Sequence, residues 1–362
     1  LGGWITDNIS WPWIFYINLP FGIVALLLTL LYVPDSAVQK KAGSIDYFGL
    51  ILLAIGIGTL QTMLERGEKF DWFESREIVT LGVTAFVALF WFAIHELETQ
   101  HPIVDLRVMK DKQFSASLIY AFFTGAVLYC TIFMFPVYAQ SLMGFTAFQT
   151  GMFILPTAIA TAIALALSSK LVQRGVSAKG IVLVGTLCFC YAMWLHNHFT
   201  TESGADDFFW PLVLRGFGLG LIFMPLNNLA MANMSVENIG NASGIYNLTR
   251  MLGGSVGIAT AATMFSSLQH SQRSYLLEHL SNNDGSTLLR LQQYQQWLQS
   301  KGFVGPAIQE KALALISLTV DKQAMMLTFA KLFLSFGILL ACALPLLLLM
   351  KHRGFASNVD LH

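Results

Sequence analysis

Nine long apolar runs constrain the fold of this chain more than any other feature. A helix needs about 20 mostly apolar residues to cross a bilayer. The spans are predicted at Trp13–Val33, Tyr47–Leu64, Ile78–His95, Ser115–Ser141, Gln149–Ser169, Ile181–His198, Phe208–Ala232, Ala242–Leu268 and Met325–Met350. Since isolated strands cannot satisfy their backbone in lipid, the runs predict an all-α integral membrane bundle with about nine transmembrane helices.

The charge content agrees with this class and excludes others. Only 12% of the 362 residues are charged, about half of the 25% or so that is typical of soluble domains. The net charge of +0 gives no support to a nucleic-acid partner. The four cysteines lie inside apolar runs, and the spacing of Cys188 and Cys190 is not that of metal ligands. The sequence therefore predicts no metal site.

Motifs of catalysis are missing from the sequence. It has no His-Glu-x-x-His pattern, no serine nucleophile elbow and no phosphate-binding Gly-Lys-Ser/Thr loop. A membrane-embedded enzyme would also need clustered His, Asp or Glu inside the spans, and none occurs there. The protein is therefore predicted not to be an enzyme, and ATP-driven transport has no support.

Basic residues orient the spans. They follow the first, third, fifth and ninth runs at Lys40, Lys41, Arg107, Lys110, Lys112, Lys170, Arg174, Lys179, Lys351 and Arg353. Because cytoplasmic loops are enriched in Lys and Arg, these ends and the C-terminus are predicted to be cytoplasmic. A long connection, Gln269–Ala324, then lies outside. Apolar residues at helical spacing over 288–298 predict a short amphipathic helix there, lying on the membrane, against a partner, or as a cap on the bundle itself.

Four motifs carry a resemblance to a known family. They are LGGWITD from Leu1, WPWIFYINLPFG from Trp11, RGFGLGLIFMPL from Arg215 and ASGIYNLTRMLGGSVG from Ala242. In this order they resemble the glycine-rich antiporter motif and later spans of the major facilitator superfamily. The whole chain, including QTMLERGEKFDWF from Gln61, is similar to its 14-span drug:proton antiporters of the EmrB type. Pro12 departs from the pattern, in which an Arg or Gly is more usual.

The resemblance implies a division of the chain. Residues 1–33 would be the end of span five and span six, and 34–112 an inserted pair of helices with a cytoplasmic linker. Residues 113–351 would be the C-terminal six-helix half, with a periplasmic loop at 269–324, and 352–362 a cytoplasmic tail. The first spans of a 14-span protein would then precede Leu1, which is not Met and does not begin a signal peptide.

The resemblance also implies a function. It predicts a secondary active transporter of the bacterial inner membrane that exports amphipathic drugs in exchange for protons and so confers multidrug resistance. The proton gradient would supply the energy, with no cofactor, and the main proton-titrating carboxylate would lie in spans upstream of Leu1. Expected partners are the substrates, the lipid bilayer, and a periplasmic adaptor protein that continues to an outer-membrane channel. Alternatives are a dedicated exporter of a siderophore, lipid or metabolite, and a non-transporting scaffold.

Polar and aromatic residues inside the spans are the candidate substrate contacts. Arg250 lies about eight residues into its span, too deep to reach the surface easily, so it either lines a cavity or locks two helices together. Tyr246 and Arg250 share a helix face, and Asn247 lies beside them. Tyr129 and Phe133 are the best aromatic candidates. Phe223 and Asn227, near Pro225, complete the set, although Asn227 could instead satisfy carbonyls freed by that proline.

Glycines form the candidate gating motifs. Gly2 and Gly3 belong to the first motif, Gly216, Gly218 and Gly220 precede Pro225, and Gly253, Gly254 and Gly257 follow Arg250. Missing side chains allow helices to approach closely. These positions therefore provide either tight packing or a surface that bends and slides during transport. In either case Gly254→Leu is expected to disrupt the bundle. Titratable groups at span ends, His95, Glu96, His196 and His198, are expected to be mainly structural.

Overall fold

The structure is a computed structural model that describes residues 1–33, 46–99, 102–278 and 285–350. Within these ranges the regular elements are α-helices and short 3-10 helices. The α-helices are α1 (Gly2–Asn8), α2 (Trp13–Tyr16), α3 (Asn18–Tyr32), α4 (Tyr47–Arg66), α5 (Arg76–Glu98), α6 (Lys112–Ser141), α7 (Ala147–Gln173), α8 (Ala178–His196), α9 (Phe209–Met231), α10 (Ile239–Glu278), α11 (Gly285–Ser300), α12 (Ala307–Ala341) and α13 (Leu346–Leu349).

The predicted spans are confirmed in number and place. Nine helical segments of the described residues are long and apolar enough to cross a membrane. The first joins α2 and α3, and the last joins α12 and α13, which are separated by a short turn before Pro345. Lys40, Lys41, Lys351 and Arg353, on which part of the predicted orientation rests, lie outside the described residues. So do the predicted tail at 352–362 and residues 279–284 of the predicted loop.

Side chains at the helix starts explain where several spans begin. Asp46, Asp111 and Ser177 each accept a hydrogen bond from a backbone N–H of the first turn of α4, α6 and α8. Thr146 and Gln149 form a capping box at the start of α7. These oxygens satisfy N–H groups that have no partner inside a helix. The polar residues of the short connections therefore determine the position at which each of these helices begins.

Six helices form one bundle. α6 packs on α10, α7 on α9, and α8 on α9, while α12 contacts α6, α8 and α10. The hydrophobic core lies between them. α4 and α5 form a separate hairpin that touches the bundle through α10. α1 packs on the start of α7, where the Asp7 carboxylate accepts the backbone N–H of Phe148 at 2.9 Å. α3 buries none of its residues within the described chain.

The connection Gln269–Ala324 differs from its prediction. It is helical over most of its described length, because α10 continues to Glu278 and α12 already begins at Ala307. Hydropathy marks where the apolar part of a helix ends, whereas the backbone stays helical as long as its residues favour it. The two extensions are joined by an ion pair between Arg273 Nε and Asp321 Oδ1 at 2.6 Å.

The amphipathic helix predicted at 288–298 is confirmed as α11. It packs on α12, and the hydroxyl groups of Tyr294 and Thr319 are 3.0 Å apart. The contact with the bundle itself is therefore present. Leu289 and Trp297 still expose 61% and 52% of their surface.

Breaking the ion pair between the extensions is expected to change stability little. The side chains of Arg273 and Asp321 are 44% and 40% exposed, and such pairs contribute roughly 0–1 kcal/mol. Asp321→Asn should therefore lower the midpoint of thermal unfolding in detergent only slightly, with less effect still at high salt. A loss as large as that from a core substitution would show that the pair holds α10 and α12 together.

Candidate substrate site

Arg250 is the centre of the candidate site. Its guanidinium carbon lies 4.5 Å from the centre of the Phe223 ring, and its Nη2 donates to Asn247 Oδ1 at 2.9 Å. Its Nε has no hydrogen-bond partner among the described residues. No described carboxylate pairs with Arg250, so the ion lock to a carboxylate that the sequence left open is not formed within this part of the chain. The positive charge of Arg250 therefore lies where α9 and α10 meet, against the face of the Phe223 ring.

Only some of the residues predicted to contact substrate lie close to Arg250. Phe223 and Asn247 both contact the guanidinium group of Arg250. Tyr129 is on α6 and packs its ring against Gly254, one turn along α10 from Arg250. Tyr246 is buried in the core, at 3% exposed. These residues lie on or beside the interface of α6, α9 and α10.

Two predicted contacts are not joined to this group by any described contact. Phe133 is 43% exposed on the surface of α6, although it is one turn from Tyr129. Asn227 is exposed on α9, and its side chain makes no hydrogen bond among the described residues. The idea that it satisfies carbonyls freed by Pro225 is therefore wrong. α9 runs unbroken from Phe209 to Met231 with Pro225 buried inside it.

The glycines of α10 form a seam with α6. A Cβ on Gly253 would collide with the backbone oxygen of Phe122, and one on Gly254 would collide with the Tyr129 ring. A Cβ on Gly257 would lie 2.7 Å from the Cα of Ala126. Contacts this short leave no room for a side chain. The predicted tight packing is therefore present, and it places α10 so that Arg250 lies against α6.

The glycines of α9 form two further seams. A Cβ on Gly216 would collide with the Thr157 backbone oxygen, and one on Gly220 would lie 2.6 Å from the Ala164 Cβ, both on α7. On another side of the helix, Gly218 lies against Gly185 of α8. Of the first motif, Gly3 closely approaches the Ala147 backbone oxygen, whereas Gly2 has nothing near it. Gly2 therefore has no packing role within the described residues.

Sequence reasoning missed a second arginine in the bundle, Arg215, which unlike Arg250 is fully buried. Arg215 is 3% exposed, its guanidinium carbon lies 3.9 Å from the centre of the Phe135 ring, and its Nη2 donates to Thr157 Oγ1 at 3.2 Å. His196, only 1% exposed, packs on the same ring. The sequence motif marks Arg215 only as the start of a glycine-rich stretch. Its place seven residues into α9, inside an apolar run, is the signal that could have identified it.

The bundle also contains an apolar cavity of about 220 Å³ between α6, α10 and α12. Phe122, Ala126 and Gly257 of the first seam line it, together with Met264 and Phe336. Only Ser335 and Thr260 contribute hydroxyl groups. The cavity can hold part of an apolar molecule, and it borders the seam that positions Arg250.

The comparisons with known proteins agree with this architecture. The family model described as Major Facilitator Superfamily matches residues 1–258. The Multidrug export protein EmrB of Escherichia coli K12 is 33% identical over 78% of this chain and 55% of its own length. The Fatty acid resistance protein FarB of Neisseria gonorrhoeae is 29% identical over 98% of this chain and 69% of its own length.

A third relative is the Colistin resistance protein EmrB of Acinetobacter baumannii, at 29% identity over 91% of this chain and 64% of its own length. The chain thus spans between 55% and 69% of the length of these relatives. A family match over more than half of the chain, together with nine candidate spans among the described residues, makes it a multi-pass membrane protein of a transporter family. The chain belongs to the major facilitator superfamily.

Proposed function

We propose that the protein exports amphipathic compounds across the bacterial inner membrane in exchange for protons. The observation that carries this proposal is the group formed by Arg250, Phe223 and Asn247. A guanidinium inside a membrane is costly unless it faces protein partners, water or a ligand. Its partners are an amide and a ring, and no carboxylate of the described residues pairs with it. Such a group is suited to bind a molecule that combines a polar head with an apolar body.

The packing of the bundle supports a rocking mechanism. In transporters of this type, two helical halves move as units around a site near the middle of the membrane. At the glycine seams between α6 and α10, α7 and α9, and α8 and α9, even one added methyl group would collide with the neighbouring helix. Such close packing leaves the paired helices no space to slide past each other. The six-helix half would therefore move as one body, and Arg250 would move with it.

The names of the relatives support export, and they favour two kinds of cargo. Two of them carry the name EmrB, with multidrug export and colistin resistance in their descriptions. The relative that aligns over nearly the whole chain is named for fatty acid resistance. Because Arg250 is cationic, a dedicated exporter of long-chain carboxylates is the second candidate. In that case Arg250 would bind the carboxylate and the aromatic rings would contact the chain.

The orientation and partners belong to the same proposal. The basic residues after the third and fifth spans support a cytoplasmic location for those ends, and hence for the C-terminus. α11 would then lie on the periplasmic side. Its exposed Leu289 and Trp297 are suitable for contact with an adaptor protein that leads to an outer-membrane channel.

Efflux from cells that express the gene product containing this sequence tests the proposal. Cells loaded with ethidium, or in parallel with a fluorescent fatty acid, should lose the dye faster than control cells. An uncoupler that collapses the proton gradient should abolish the difference. Efflux that persists with the uncoupler would contradict proton coupling. Efflux of the fatty acid alone would favour the dedicated exporter, and efflux of neither from cells with folded protein in the membrane would contradict both.

A further inference from the structure

A buried acidic side chain lies at one end of the helical hairpin, away from Arg250. Glu96, in the last turn of α5, is 0% exposed. One of its carboxyl oxygens, Oε2, accepts the backbone N–H of Val104 at 3.2 Å. The other, Oε1, is buried and has no hydrogen-bond partner among the described residues. A buried carboxylate oxygen without a donor is costly, whereas a protonated carboxyl group carries no net charge.

A second carboxylate faces Glu96 across Gly49, in the first turn of α4. Oε1 of Glu96 and Oδ2 of Asp46 lie 2.8 and 2.7 Å from the position that a Cβ would take on Gly49. Only a glycine leaves room for both side chains there. Two carboxylates so close together resist being charged at the same time. One of the two must therefore hold a proton or be neutralised by another group.

The partners of Asp46 make it the charged member of the pair. Its Oδ2 lies 2.7 Å from His95 Nε2, and its Oδ1 accepts the backbone N–H of Gly49 at 2.9 Å. The Gly49 N–H, with further help from His95, holds the pKa of Asp46 below its ordinary value. Asp46 therefore stays ionised, and the proton belongs on Glu96.

The other charged groups nearby are engaged elsewhere. Arg107 Nη2 donates to the backbone oxygen of Leu97, and Asp105 Oδ1 accepts the Arg107 N–H. His95, on α5 itself, is paired with Asp46 and contacts Thr99 Oγ1 at 3.2 Å. α10 contributes Asn241, which is neutral. Within the described residues, no cation contacts Glu96 to hold it as a carboxylate.

We propose that the Glu96 carboxyl group is a proton-binding site at the cytoplasmic end of the hairpin. The reaction is the transfer of its O–H proton to water, which leaves a carboxylate and a hydronium ion. Since Glu96 is closed off from solvent, this exchange needs a movement of the linker at Val104 or of α4. The role of this exchange in transport rests on the proposed proton-coupled function, but the site can be measured without transport.

The linker connects this site to the helix that carries Arg250. Asp105, next to Val104, exchanges two hydrogen bonds with Asn241 of α10, each 3.0 Å long. Ionisation of Glu96 beside Asp46 would push the ends of α4 and α5 apart. The linker, which is bonded to Glu96 through Val104, would carry that movement through Asn241 to the start of α10. Loss of the proton would thereby change the position of the helix that bears the candidate substrate site.

Infrared spectroscopy of the purified full gene product in nanodiscs tests the site. A protonated carboxyl group gives a C=O stretching band that disappears on ionisation. Ordinary glutamates ionise near pH 4.3, so a band that persists above about pH 6 reports an unusual carboxyl group. We expect such a band in the unaltered protein and a weaker one in Glu96→Gln, so that the difference between the two spectra contains the C=O band of Glu96 alone. Glu98→Gln, an exposed glutamate two residues further on, is the matched control and should keep the band.

A second variant decides the matter if Glu96→Gln does not fold. Asp46→Asn keeps Glu96 but removes the neighbouring charge, so the pH at which the band disappears should fall by about one unit. No band above pH 6 in the unaltered protein, or a band that Glu96→Gln leaves intact, would overturn the proposal. A band that behaves as expected in a protein without proton-linked efflux would uphold the site and reject the proposed function.

Discussion

Replacing Gly253 with leucine is expected to unfold the bundle or to reduce its abundance in the membrane several-fold. A Cβ at this position would collide with the backbone oxygen of Phe122 on α6. A backbone atom inside a helix cannot rotate away as a side chain can, so α6 and α10 would have to separate. Overpacking of a core costs roughly 1–3 kcal/mol where side chains can adjust, and the cost here should lie at or above that range.

A second glycine of the same helix provides the control. Gly244 is exposed on α10 and has nothing within 4 Å of a Cβ. Leucine favours helix more than glycine does, by somewhat less than 1 kcal/mol, so Gly244→Leu should fold as well as the unaltered protein. Size-exclusion profiles and thermal unfolding in detergent would measure both variants. Equal behaviour of the two would show that the seam tolerates a side chain and can slide.

Gly254→Leu should have an intermediate effect. Its added side chain would meet the ring of Tyr129 rather than a backbone atom. The ring can turn, at the cost of its present position beside the candidate site. The expected loss of stability is therefore largest for Gly253→Leu, smaller for Gly254→Leu and smallest for Gly244→Leu, because the added Cβ atoms have different contacts.

The number of spans could be predicted from sequence because lipid imposes one strong rule. A helix must present about 20 apolar residues to the bilayer, and each run of that length became a helix. The rule does not apply outside the membrane. There the continuation of α10 to Glu278 and the early start of α12 at Ala307 depend on helix propensity and on mutual contacts such as Arg273 with Asp321.

The candidate site was predicted only in part, since hydropathy does not tell which helices meet. Arg250 could be identified because a charge inside an apolar run is unusual. Its partner Phe223 lies on another helix, and nothing in the sequence distinguishes that phenylalanine from Phe133, which is exposed. Arg215 and Arg250 look alike in sequence, yet Arg215 is buried between α6, α7 and α9. The burial of Glu96 depends on Gly49, which is 47 residues earlier in the chain.

Replacing Arg250 with alanine is expected to reduce export much more than it reduces the amount of folded protein. Arg250 is only partly buried, and its hydrogen bond goes to Asn247 of its own helix. Its removal leaves no buried partner without a donor, so folding should change little. A bound polar head would lose a charge-assisted hydrogen bond, which contributes roughly 1.5–3 kcal/mol. Export should therefore fall by about tenfold or more.

Arg215→Ala provides the opposite case. Arg215 is 3% exposed and links Phe135 of α6 to Thr157 of α7, so its loss should lower the amount of folded protein as much as the export. Membrane abundance measured on the same cells as efflux separates the two arginines. Equal losses of abundance and export in Arg250→Ala would show that Arg250 holds helices together instead of binding substrate.

The sign of the substrate charge makes the test of Arg250 sharper. A guanidinium attracts a carboxylate and repels a cation, and both effects are strong where water is scarce. Arg250→Ala should therefore slow the efflux of a fluorescent fatty acid more than that of ethidium, while Arg250→Lys, which keeps the charge, should retain most of the efflux of the fatty acid. If both compounds lose efflux equally in Arg250→Ala and neither recovers in Arg250→Lys, the shape of the guanidinium and its contact with Phe223 matter more than its charge.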